Sequence, residues 1–151
     1  MTPDMTTFLS AAEVDRLRAG YDAAVMLAGS QAAVNQHYAG AAPLASFLGK
    51  SVYDPAMMAP TDRERCILTL LATKPHALTL GVHVYWGLAE GLSLRDVYQV
   101  FMVAAGYAGV DAYAVPAFLL QRRILPLLKH LAEADTPDTR VVLAALVEGL
   151  A

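Results

Sequence analysis

The sequence predicts an all-α domain, and three observations carry that prediction. Serine or threonine recurs with an acid three residues later, the spacing that caps a helix start. Glycine and proline fall between stretches whose apolar residues repeat every three or four positions. No stretch alternates apolar and polar residues with the β-branched enrichment of a strand. The expectation is one compact helical domain over residues 1–151, of about six to eight helices.

The elements follow in order. Ser10 and Glu13 form a capping box, and Val14, Leu17, Tyr21, Val25 and Ala28 continue at helical spacing. Gly29 and Ser30 are expected to interrupt this helix. Gln31–Tyr38 and Pro43–Leu48 read as two shorter helices, and Ser51–Pro60, with Pro55 and Pro60, reads as a loop. Thr61 is expected to cap the next helix, with Glu64 in the capping-box position. Cys66–Ala72 is apolar nearly all round, which predicts burial. Lys74 and Pro75 end that helix. His76–Glu90 is the next, closed by Gly91 as a left-handed cap. Ser93 with Asp96 opens a helix running to about Ala108. Asp111 opens a long helix to about Ala134, bent at Pro126. Thr136, Pro137 and Asp138 begin the last, with proline in its first turn.

Composition narrows the function classes. Only 17 % of residues are charged, against roughly 25 % in an ordinary soluble domain, while 56 % are apolar. A net charge of −3 argues against nucleic-acid binding. One cysteine excludes an intrachain disulfide or a Cys-x-x-Cys centre. Ala23–Gly49 carries no Asp, Glu, Lys or Arg, yet Gln31, Asn35, Gln36 and His37 interrupt it and Gly29, Gly40 and Pro43 break it. Such a segment is a poor membrane span. The N-terminus lacks the basic start and continuous apolar run of a signal peptide. The chain is therefore expected to be cytoplasmic, with its surplus apolar surface in a homo-oligomeric interface. The helices from Thr61 to Ala108, thinnest in charge after Arg65, are the expected shared core.

From Thr61 to Ala117 the chain resembles the carboxymuconolactone decarboxylase family, which includes the alkylhydroperoxidase-D-like proteins. Thr61-Asp62-Arg63-Glu64-Arg65 before an apolar helix is similar to the family's Thr-x-Arg-Glu-Arg opening. A helix with a central histidine, His83, follows. Ala89-Glu90-Gly91-Leu92-Ser93 is similar to its Ala-x-x-Gly-Leu-Thr turn, and Ala105-Gly106-Tyr107-Ala108-Gly109 to its Tyr-x-Gly turn. The resemblance implies an alkylhydroperoxidase-D-like helical fold that assembles as a trimer or hexamer. The peroxidase branch carries Cys-x-x-Cys ahead of its histidine, where this chain has His76 and Thr79. The lone Cys66 cannot both attack and resolve, so thiol peroxidase activity is not expected. The branch without those cysteines is the decarboxylase branch. It implies a lyase or isomerase acting on a small carboxylated compound. This chain departs from that branch as well, having no acid in Ala77–Val82 and having Tyr85 and Trp86 after the histidine.

The residues themselves suggest how such chemistry would run. His76, Thr79, His83, Trp86 and Glu90 share one helix face. The short Lys74-Pro75 joint folds this helix back on its predecessor, so Glu64 can approach His83 or Trp86. His83 would give or take a proton, and Glu64 would orient it. Loss of carbon dioxide from a β-keto acid or its vinylogue needs no cofactor, because the substrate holds its own electron sink. His76, Thr79, Trp86 and Tyr107 are candidate substrate contacts, and Arg63 and Arg65 are the nearest cations for a substrate carboxylate. Each also has a plain structural role open to it: Glu64 complements a helix dipole, Trp86 and Tyr107 pack, and Arg63 and Arg65 meet solvent. No metal is expected, since His76 and His83 lie about 10.5 Å apart along the axis, too far to share an ion. A non-catalytic oligomer that binds a small apolar ligand is the competing expectation.

Overall fold

The computed structural model describes residues 8–37, 42–54 and 56–151, and Tyr38 and Pro55 lie outside them. The described residues are helical, with no strand among them. The helices are α1 (Ala11–Ala19), α2 (Ala23–His37), α3 (Ala42–Phe47), α4 (Pro60–Thr73), α5 (Ala77–Ala89), α6 (Leu94–Ala108), α7 (Asp111–Leu119), α8 (Leu125–Ala134) and α9 (Thr139–Leu150). Wider π-type turns follow α3, over Leu48–Val52, and α7, over Leu120–Ile124.

Two of the three expected capping boxes form. Ser10 accepts from Glu13 N while Glu13 accepts from Ser10 N, and Ser93 and Asp96 do the same at the start of α6. The break after α1 falls at Gly20–Asp22 rather than at Gly29. Asp22 Oδ1 accepts from Ala24 N at 2.9 Å and Val25 N at 3.0 Å, which starts a new helix there. Gly29 continues α2, because a Cβ at that position would sit 2.5 Å from Leu143 Cδ1 of α9. The glycine there serves close helix approach, not a turn.

Three other boundaries differ from the expectation. The N-cap of α4 is Ala59 with Pro60 in the first turn, so Thr61 caps nothing and Glu64 lies inside the helix. The last helix starts at Asp138, whose carboxylate accepts from Arg140 N and Val141 N; Pro137 precedes the cap. The distortion expected at Pro126 falls just before it, in the Leu120–Ile124 turn, where Leu125 N bonds to Leu120 O. A proline ring crowds the carbonyl four residues back, so the strain is relieved upstream of the proline.

The core is one cluster, running through Leu17, Leu68, Leu80, Val84, Leu88, Phe101, Ile124, Leu128 and Leu146, all fully buried. α4 is buried on one side only. Leu68 and Ala72 are inside, while Cys66 and Leu70 are exposed, so the expectation of an all-round buried helix does not hold within the single chain. α5 is the central helix, packed on α1, α4 and α9. Its C-terminus is closed twice. Leu92 N bonds to Gly87 O and Gly91 N to Leu88 O, with Gly91 at φ +118°. Arg18 of α1 then donates to Leu88 O at 2.8 Å and Leu92 O at 3.1 Å. These contacts hold the end of α5 against α1, beside a cluster of buried polar side chains.

Candidate active site

α4 and α5 form the antiparallel hairpin that the Lys74-Pro75 joint predicts. The start of α4 therefore meets the second half of α5. Gly87 makes the approach close, since a Cβ there would lie 3.5 Å from Glu64 Cβ. Glu64, fully buried, reaches across and meets Nδ1 of His83 at 2.9 Å. A carboxylate only accepts, so Nδ1 carries the hydrogen and Nε2 is the basic nitrogen of the neutral ring. Nε2 has no hydrogen-bond partner among the described residues, and the His83 side chain keeps 11 % of its surface open.

Arg63 extends the network. It is 4 % exposed. Its Nε donates to Glu64 Oε1 at 3.1 Å, and Nη2 donates to both oxygens of Glu90, at 2.9 and 2.7 Å. Nη1 has no partner among the described residues. Glu90 Oε1 also accepts from Trp86 Nε1 at 2.9 Å and from the Tyr21 hydroxyl at 3.0 Å. Burial and the charge of Glu90 push the Tyr21 hydroxyl well above the usual tyrosine range, which keeps it a donor. Two carboxylates and one guanidinium leave the cluster with one net negative charge while His83 is neutral.

Flat groups line the same region. Tyr53, from the segment before α4, lies parallel to Trp86 with ring centres 4.7 Å apart. His83 is also nearly parallel to Trp86, at 5.7 Å. The Arg63 guanidinium carbon is 4.9 Å from the Tyr53 ring centre and 5.4 Å from that of Trp86, within cation–π range. Burial raises the Tyr53 hydroxyl to about 12, and the charge of Glu64 adds to the rise.

Of the residues singled out in the sequence, His83, Glu64, Arg63 and Trp86 come together. Arg63 is already engaged by two carboxylates, which leaves Nη1 as its open donor. Arg65 lies apart, pairing with Asp62 at 2.8 Å and Asp96 at 3.3 Å. His76 stands at the N-cap of α5 and makes no side-chain cap bond. Thr79 is half-buried, one turn before His83. Tyr107 is 93 % exposed at the end of α6. The structure adds Glu90, Tyr21 and Tyr53 to this group. Glu90, at the C-cap of α5, carries a sequence signal, since it continues the His83–Trp86 face, whereas no spacing relates Tyr21 or Tyr53 to His83. Among the described residues, no three His, Cys, Asp or Glu side chains are grouped so as to hold a metal ion.

Comparison with family models, curated proteins and solved structures gives no match for this chain.

Proposed function

We propose that this protein is a cofactor-free acid–base enzyme of the carboxymuconolactone decarboxylase kind, a decarboxylase or related lyase or isomerase for a small carboxylated compound. The observation that carries the reading is the Glu64–His83 pair: a buried carboxylate on Nδ1 fixes the tautomer and leaves Nε2, which has no partner among the described residues, for a substrate. Decarboxylation breaks a C–C bond and leaves its electron pair in an enolate. The imidazolium form of His83 gives its Nε2 proton to that carbon, and water restores it. Arg63 Nη1 is the donor available to the enolate oxygen. Under this reading the protein works in the cytoplasm as a homo-oligomer, a trimer or hexamer.

Carbon dioxide release from a panel of β-keto acids and carboxylated lactones tests it. Once a substrate is found, His83→Gln should lower turnover by about 10²–10⁴-fold, the usual worth of a positioned acid or base. Unchanged turnover in that variant overturns the assignment. A second reading, a non-catalytic oligomer binding a small apolar ligand, draws on the exposed apolar residues of α6 and α7 and the turn between them, Met102, Val103, Tyr107, Val110 and Phe118. In that case no member of the panel turns over and His83→Gln leaves assembly intact. Cys66 is exposed, but a peroxidase cycle needs a second thiol and the chain has one cysteine.

A further inference from the structure

Two carboxylates compete for one buried guanidinium, and only one of them touches the histidine. We infer that Glu90 is a positioning residue for the Glu64–His83 pair and acts on it through Arg63. The inference rests on the acid–base reading only for its purpose; the coupling itself is a property of the folded protein.

Glu90 holds Arg63 Nη2 with both oxygens, at 2.9 and 2.7 Å, whereas Glu64 receives only the Nε hydrogen of Arg63, at 3.1 Å. The guanidinium is thereby turned toward Glu90. Glu64 keeps Oε2 for His83. Glu90 is in turn fixed by the Trp86 indole and the Tyr21 hydroxyl, so its carboxylate has little freedom to follow Arg63. Without the Glu90 charge, Glu64 is the one anion left to Arg63 in this cluster. Arg63 then turns to it and draws its density away from His83. The direct pull of Glu90 on His83 acts over about 10.5 Å of helix axis and needs no Arg63, so it is the part of the effect that an Arg63→Gln background retains. Among the described residues, the charged and titratable groups joined to His83 in this network are Arg63 and Glu64 from α4, Glu90 at the C-cap of α5, Tyr53 from the segment before α4, and Tyr21 just after α1.

The test is the proton affinity of His83, followed by NMR of its ring nuclei across pH, with no substrate required. Glu90→Gln should lower that affinity about three- to tenfold, half to one pH unit. In an Arg63→Gln background the same change should do much less, because the link is gone. An equal drop in both backgrounds, or no drop in Glu90→Gln alone, overturns the proposal. If Arg63→Gln does not fold, Glu90→Asp serves instead. It keeps the charge but withdraws the carboxylate by one methylene, so a positioning role predicts a drop and wild-type titration overturns it. Loss of the coupling with turnover still dependent on His83 removes only this inference. An intact coupling with no turnover removes only the acid–base reading.

Discussion

Gly87 sits where α5 meets both Leu92 and the start of α4. A Cβ there would come within 2.8 Å of Leu92 Cδ1 and 3.5 Å of Glu64 Cβ. Leu92 is fully buried, so its methyl has no free space to retreat into. Gly87→Ala should therefore destabilise the fold by about 1–3 kcal/mol, the usual cost of overpacking, and should loosen the Glu64–His83 contact as well. Gly106, in the last turn of α6, is the control: no described residue lies within 4 Å of the point a Cβ would occupy there. Gly106→Ala should be neutral or stabilising by about 0.5–1 kcal/mol, since only the backbone entropy of glycine is removed. Urea unfolding of the two variants checks both signs, and equal effects would contradict the packing account.

At the scale of elements, the start of α6 ties helix chemistry to pH. Asp96 bonds to the Ser93 hydroxyl at 2.6 Å and to Ser93 N at 2.8 Å, and pairs with Arg65 of α4. The Ser93 bonds, with Arg65 adding, hold its carboxyl below the usual aspartate range. A group whose pKa is lower folded than unfolded binds more protons when unfolded, so its stabilisation is complete above the ordinary carboxylate pKa and fades as pH falls through the folded value. Ser93→Ala should cost about 1 kcal/mol at neutral pH, as lost caps do. Asp96→Ala should be destabilising at neutral pH, and its gap from the wild type should shrink when unfolding is repeated in acid, below the ordinary carboxylate range. A gap that stays constant with pH would refute the linkage. The caps at Ser10 and Ser93 were legible in the sequence because they are local, whereas Thr61-x-x-Glu64 carries the same four-residue signal and fails because Pro60 already lies in the first turn of α4. The α1–α2 break was not legible, since Gly20 is explained by Pro137 O, which would sit 2.0 Å from a Cβ there, and that neighbour is remote in sequence. The site divides the same way. Helical spacing and a short hairpin joint bring Glu64 to His83, so that pair could be anticipated. Tyr53 and Tyr21 arrive through tertiary packing with no periodic relation to α5.

At the scale of the whole molecule, charge is scarce where α6 and α7 run along the surface. α6 buries Val97, Tyr98, Val100, Phe101 and Ala104, as an amphipathic helix should. Its outward side is polar at Arg95 and Gln99 but apolar further on: Met102 is 63 % exposed, Val103 57 % and Tyr107 93 %. Val110 and Phe118 extend the apolar surface onto α7, and Leu70 adds to it from α4, which packs against both helices. From Val97 to Leu119 the sole charged residue is Asp111. Among the described residues no helix is long and apolar enough to cross a membrane. So many large apolar side chains left exposed on three mutually packed helices suggest a covered surface, since large apolar patches are unusual on a monomer. The protein should be an oligomer at micromolar concentration by light scattering coupled to gel filtration. Val103→Asp with Phe118→Asp should shift it to a monomer while the helical circular dichroism spectrum is retained, because both side chains are exposed in the single chain and support none of its core. A wild-type monomer would remove the oligomeric interface as the reason for the low charge. An assembly that persists in the double variant would move the interface away from α6 and α7.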